Sequence, residues 1–266
     1  MYLREIKASR TLEIRDLHIV FRTATGLTEA VRGISLSVRK GRITALVGES
    51  GSGKSVTAMS VMNLLSWNGR ISAGKIFLGS TDVLQLKASE RRRLNGSVFG
   101  MIFQDPTASL DPLFTIGDQM TEGIMRHRHI SRKEAEEISR RQLSAMHMQD
   151  VDYLMGRRPF ELSGGMCQRV MIAMVMALEP DFLIADEPTT ALDVTVQEQI
   201  LRQIRSLCLE KDIGVLFITH DLGVVAEIAD DVYIMKDGRI EENGSVFDIF
   251  DHPAQPYTKR LMASIL

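Results

Sequence analysis

Gly48-Glu49-Ser50-Gly51-Ser52-Gly53-Lys54-Ser55 follows the apolar run Ile43 to Val47 and precedes a helical pattern that extends to about Leu65. The eight residues match G-x-x-x-x-G-K-[ST], and a strand before with a helix after is the context in which that pattern cradles phosphate. The glycines let successive backbone N–H groups curl around phosphate oxygens, and the helix N-terminus adds the positive end of its dipole. Lys54 is expected to reach the β- and γ-phosphates and the Ser55 hydroxyl to bind Mg2+. A merely flexible Gly/Ser turn would need neither the lysine nor the flanking strand and helix.

Working outward, strands and helices alternate on both sides of this loop. Leu12, Ile14, Leu17, Ile19 and Phe21 alternate imperfectly with polar residues, and Ile34, Leu36 and Val38 alternate cleanly with Ser35 and Ser37. Gly74 and Gly79 are expected to bracket a short strand, and another is expected near Val98 to Phe103. From about Thr115 to Met148 the pattern turns helical, with Ile116, Met120 and Ile124 four residues apart and Ser131 with Glu134 as a capping box. Strands return at Phe182 to Ala185, Val215 to Ile218 and Val232 to Met235, with Asp237-Gly238 as a hairpin turn. Val196, Ile200, Ile204 and Leu207 mark one face of a helix. Buried strands alternating with helices imply a mainly parallel sheet with helices on both faces.

Composition removes several classes. The chain has 266 residues, 44% hydrophobic and 25% charged, with a formal net charge of -2, so bulk nucleic-acid binding is not expected. Arg91, Arg92 and Arg93 read as a solvated helix face. Cys167 and Cys208 lack metal or redox spacing and fit a reducing compartment. No signal segment is expected, and the run Val170 to Leu178 is far short of the roughly 20 apolar residues that a bilayer requires. Met166, Met171, Met174 and Met176 could hint at soft metal binding, but Met171 and Met174 lie on a helix in an otherwise apolar run, so the cluster reads as core packing.

Two further groups carry chemistry. Asp186 and Glu187 end the run Phe182-Leu183-Ile184-Ala185, at the C-terminal end of a strand, where ligands bind in parallel sheets. Asp186 suits Mg2+, and Glu187 suits orienting or deprotonating an attacking water. Ser163 is a good N-cap, and Gly164 and Gly165 leave backbone amides open to an anion. On spacing alone that second helix start reads first as an ordinary capped helix.

In order, the phosphate loop, Leu162-Ser163-Gly164-Gly165-Met166-Cys167-Gln168-Arg169, Asp186-Glu187 and a lone His220 after Phe217-Ile218-Thr219 resemble the ABC ATPase family over essentially the whole chain. The resemblance implies an α/β P-loop NTPase (RecA-like) core of ABC type. It would carry an antiparallel β-subdomain within 1–104, a helical subdomain at 105–160 and the rest of the core at 161–266. It also implies head-to-tail pairing, in which Ser163, Gly164 and Gly165 serve the partner's ATP and Asp193 of Ala191-Leu192-Asp193 crosses to that site. Gln104 would contact Mg2+ or water and link to the transmembrane subunits, and His220 would contact the γ-phosphate. Phe21 would either stack on adenine or be an ordinary core strand residue.

Gln104 to Pro112, Ala185 to Thr195 and the tail His252 to Lys259 are similar to the peptide and nickel importer branch, with Asp111 where Asn is usual. The implied function is a Mg2+-dependent ATPase energising an importer of di- or oligopeptides, with nickel or a metallophore as the alternative cargo. The implied partners are a second ATPase subunit, two transmembrane permeases and an extracytoplasmic binding protein, with the chain peripheral on the cytoplasmic face of the membrane. A DNA-repair or chromosome ATPase of the superfamily would need a long coiled coil before the signature. A translation factor would normally carry two ATPase domains.

Overall fold

The computed structural model describes residues 6, 9–189 and 194–263. The chain opens with β1 (Thr11–Thr23), β2 (Gly26–Arg39), β3 (Ile43–Val47), α1 (Lys54–Val61), β4 (Gly69–Leu78), β5 (Thr81–Asp82), α2 (Ala88–Leu94) and β6 (Phe99–Ile102). It then leaves the sheets for α3 (Pro106–Ser109), α4 (Ile116–Arg128), α5 (Arg132–Ala145) and α6 (Val151–Met155). It returns through α7 (Gly164–Met176), β7 (Phe182–Asp186), α8 (Val194–Glu210), β8 (Gly214–Thr219), α9 (Leu222–Ile228), β9 (Asp231–Lys236), β10 (Arg239–Ser245), α10 (Val246–Asp251) and α11 (Pro256–Ala263).

The strands form two sheets. One has the order β2-β1-β4-β5 and is antiparallel. The other has the order β10-β9-β3-β8-β7-β6, parallel from β9 to β6 with the β9–β10 hairpin at its edge. Every residue of β3, β7 and β8 is buried, as strands covered on both faces require. Alternation sorts their side chains. Leu183, Ala185, Val215 and Phe217 pack with Ile172 of α7 and with Ile200 and Ile204 of α8. Leu46, Ile184, Leu216 and Ile218 pack on the opposite face with Ala58 of α1 and with Ile14 and Ile76 of the antiparallel sheet.

Helices lie on both sides, as expected, but α1 shares that second face with an element the alternation did not place there. The antiparallel sheet covers much of it, because β1 and β2 turn Leu12, Ile14, Leu17, Ile19, Ile34 and Val38 to one side. A correction concerns β4, which runs through Gly74 back to Gly69 instead of starting after Gly74. Gly74 has φ +96 and sits opposite an irregularity in β1 at Asp16, itself at φ 46. A side chain at position 74 would collide with the Asp16 carbonyl, so this glycine marks a bulge within a strand.

Other local signals hold. Ile116, Met120 and Ile124 are the buried face of α4. The Ser131 hydroxyl accepts the Glu134 N–H at 3.3 Å, and the Glu134 carboxylate accepts the Ser131 N–H at 2.9 Å, closing the capping box of α5. Asp237 and Gly238, at φ 46 and 82, make the β9–β10 turn, whose two positive φ values suit a two-residue hairpin. Met171 and Met176 are buried in the core with Met174 packed against it, the packing role their apolar run suggests.

Candidate nucleotide site

β3 ends at Val47 and delivers the loop Gly48 to Gly53 directly to the start of α1. Three glycines are demanded by geometry. Gly51 and Gly53 have φ 81 and 107, and a side chain at Gly48 would run into the Met235 carbonyl of neighbouring β9. Lys54, 5% exposed, folds back over the loop, and its ammonium donates to the carbonyls of Gly48 at 2.7 Å and Glu49 at 2.9 Å. Burial lowers its pKa, while the Glu187 and Asp186 carboxylates pull the other way.

The strand order brings the remaining chemistry to the same edge. β6, β7, β8 and β3 lie side by side and parallel, so Gln104, Asp186-Glu187, His220 and the phosphate loop all follow C-terminal strand ends. The Ser55 hydroxyl donates to the Asp186 carboxylate at 3.0 Å. Burial raises the Asp186 pKa, and the neighbouring Glu187 charge adds to the rise. Glu187 has φ 46, with its N–H bound to the Ile218 carbonyl at 2.8 Å. Its carboxylate accepts the Gln104 side-chain amide at 2.9 Å and lies 3.1 Å from His220 Nδ1.

Oxygen donors dominate this corner, as a hard divalent cation requires. Among the described residues no group of three or more His, Cys, Asp or Glu could hold a metal by itself. The pairing of Ser55 with a single buried carboxylate therefore fits Mg2+, which characteristically takes one or two protein carboxylates and completes its shell with phosphate and water.

The other expected residues divide. Ser163 caps α7, accepting the Met166 N–H at 3.3 Å, and at Gly164 an added side chain would meet open space. No hydrogen bond among the described residues joins Ser163, Gly164 or Gly165 to the phosphate loop. Phe21 is half-buried, pairs with Gly69 across β1 and β4, and packs against the core cluster. Asp193 lies outside the described residues. Sequence reasoning assigned no role to Gln168, which is 2% exposed and donates to the Pro188 carbonyl at 2.6 Å. The only sequence signal was its place in Leu162–Arg169, just before the apolar run Val170 to Leu178, and that does not name its partner.

A phosphate loop at the first strand of a parallel sheet, with carboxylates on a neighbouring strand end, defines a P-loop nucleotide-binding protein. Residues 31–190 match the family model described as ABC transporter. The dipeptide transport ATP-binding protein DppD of Bacillus subtilis is 44% identical over 257 residues, covering 96% of this chain and 77% of that protein. The glutathione import ATP-binding protein GsiA of Escherichia coli K12 is 46% identical over 267 residues, covering 98% of this chain but only 43% of GsiA. Among solved structures, the dimeric ABC transporter cassette MJ0796 superposes with a TM-score of 0.80 at 24% identity, covering 88% of this chain and 98% of that one. CbiO1 of Clostridium perfringens, part of an ABC transporter complex, gives 0.77 at 26% identity and covers 92% of both. The chain belongs to the ABC transporter family, as an ATP-binding cassette.

Proposed function

We propose that the chain is the Mg2+-dependent ATPase subunit that energises an ABC importer of di- and oligopeptides. The observation that carries the reaction is the convergence of Lys54, Ser55, Asp186, Glu187, Gln104 and His220 on one edge of the sheet. The cargo class rests on the likeness to relatives named for dipeptide and glutathione transport, both small peptides.

Lys54 exchanges the two loop carbonyls for the β- and γ-phosphates, a charge-assisted contact worth more than either neutral one. The loop N–H groups and the start of α1 hold the other phosphate oxygens. Ser55, Asp186 and Gln104 would hold Mg2+, which supplies neutralisation of the charge that builds up on the phosphates. Glu187 orients the attacking water and takes its proton as the oxygen bonds to the γ-phosphorus and the bond to ADP breaks. Gln104 and His220 hold the Glu187 carboxylate from two sides, which fixes its aim. His220, whose side chain is 60% exposed, is free to turn to the γ-phosphate.

A second cassette would complete each site by laying its Ser163, Gly164 and Gly165 against the ATP, and its Asp193 would cross in the same way. Among the described residues no helix is long and apolar enough to cross a membrane. In the proposed assembly two permeases span the membrane, the cassettes dock on their cytoplasmic face, and an extracytoplasmic binding protein delivers cargo.

The test uses the reconstituted transporter. Glu187→Gln is expected to keep ATP binding and lower hydrolysis by at least about 100-fold, and peptides presented by the binding protein are expected to stimulate the wild-type rate. Wild-type hydrolysis in Glu187→Gln would remove that residue from the reaction, and a rate indifferent to peptides would remove the cargo assignment.

A further inference from the structure

Arg91, Arg92 and Arg93 sit together in the last turn of α2, yet the structure separates them. Arg92 and Arg93 are exposed, the solvated face their sequence suggests, while Arg91 is half-buried. It lines a cavity of about 470 Å³ bounded by α2, the residues that follow α1 and the first half of β4. That cavity exists because β5 is short. It pairs with β4 only at Phe77 and Leu78, so among the described residues no strand covers that side of β4 from Gly69 to Gly74.

The cavity wall is basic and rich in donors. Arg70 of β4 lines it with Arg91, and Asn63, Ser72 and Gln85 add amides and a hydroxyl. No aspartate or glutamate among the described residues lines it. Among the described residues none of these side chains makes a hydrogen bond or an ion pair. Burial lowers the Arg91 pKa, and the charge that opposes the fall is Asp82. That carboxylate forms no ion pair with Arg91 and instead accepts the Leu84 N–H at 3.1 Å. A guanidinium half withdrawn from water keeps its charge and its full set of donors, so leaving it without an acceptor is costly. The paired oxygens of a carboxylate or phosphate match its fork best. The cavity also falls within the roughly 300–1,000 Å³ typical of small-molecule sites.

We propose that this cavity is a binding site for a small oxyanion, its carboxylate or phosphate oxygens held between Arg70 and Arg91. Asn63, Ser72 and Gln85 supply the neutral donors around it. The site is separate from the phosphate loop, so the proposal does not rest on the nucleotide reading above. The ends of α1 divide between the two places. Lys54 opens the helix in the phosphate loop, and Asn63 follows its last turn, about 12 Å further along the axis.

The test titrates inorganic phosphate and, separately, malonate into the full chain by calorimetry, with ADP and Mg2+ present to fill the nucleotide site. One-to-one saturable binding of at least one anion is expected, with a Kd of about 1 mM or tighter, and the tighter of the two names the ligand class. Arg91→Gln is expected to weaken that binding at least about tenfold, and Arg70→Gln to weaken it as well. Arg92→Gln removes an equal charge outside the cavity and is expected to change the affinity by less than about twofold, since an exposed charge is screened. ADP affinity, expected to stay within about twofold in every variant, reports that the fold is intact. The proposal is overturned if neither anion binds the unsubstituted chain, or if binding survives in Arg91→Gln. An equal loss in Arg92→Gln would show diffuse attraction to positive charge and overturns it too. Should Arg91→Gln fail to fold, Arg70→Gln against Arg92→Gln decides, and equal affinity in those two overturns the site. A chain that bound no ADP would sink the nucleotide reading and leave this one to the Arg91 comparison.

Discussion

Asp186 is 3% exposed and sits between the Ser55 hydroxyl and the charge of Glu187. Burial raises its pKa above the ordinary 3.8, so in the ligand-free fold its carboxylate is a destabilised ion. Below 3.8 the folded and unfolded chains both hold the proton. Between that value and the raised folded one, only the folded chain keeps it, so stability falls as pH rises through this window and stays lowered above it. A cation binding beside Asp186 relieves the penalty. Asp186→Asn keeps the shape and an acceptor for Ser55 but removes the charge. At pH 7 its ligand-free melting temperature is expected to rise by about 2–4 °C, while the extra stabilisation from Mg2+ and ATP shrinks. Thermal melts with and without ligand decide it; a ligand-free variant that melts lower than wild type would contradict the argument. The Asp-Glu pair was legible because it closes an apolar run. The left-handed backbone of Glu187, which turns its carboxylate toward Gln104 and His220, was not, since its cause is the hydrogen bond to Ile218 on the neighbouring strand.

Elements whose causes are local could be read from sequence. β3 is five buried residues in a row, α5 carries its own capping box, and the β9–β10 turn carries its own Asp-Gly. β4 could not be placed in full, because Gly74 answers a bulge in β1 almost sixty residues earlier, near Asp16. The same limit hid Gln168, whose partner, the Pro188 carbonyl, is far off in the chain. That bond ties the helix opened by the Ser-Gly-Gly signature to the segment that directly follows Glu187. Gln168→Leu removes the donor and keeps comparable bulk. Loss of a buried hydrogen bond of this kind is expected to lower stability by about 1–3 kcal/mol, measured by chemical denaturation. Hydrolysis is expected to fall further than ATP affinity, because the perturbed segment adjoins the carboxylate and not the phosphate loop. Unchanged stability would show that the bond contributes nothing, and a larger loss of affinity than of rate would mislocate its effect.

At the scale of the molecule, one cassette holds two anion-ready helix starts that do not meet. The phosphate loop opens α1, and Ser163 with Gly164 and Gly165 opens α7, with no hydrogen bond among the described residues between the two. The proposed head-to-tail pairing gives the second start a ligand, the ATP on a partner's loop. It therefore predicts complementation. Lys54→Ala spoils a chain's own loop but leaves its signature intact. Gly165→Asp puts a negative charge where a phosphate must approach but leaves the loop intact. Each variant alone forms dimers with two defective sites and is expected to be inactive. A mixed dimer contains one site with both lesions and one site with neither. Random mixing makes half the dimers mixed, each with one sound site of two, so the ceiling is about a quarter of the wild-type rate for independent sites in a two-fold dimer. Where the physiological partner is a homologous chain, one lesion goes into each. Activity regained on mixing supports the shared site. Mixed dimers demonstrated by affinity tags, with no activity regained, would leave the second helix start as no more than a cap.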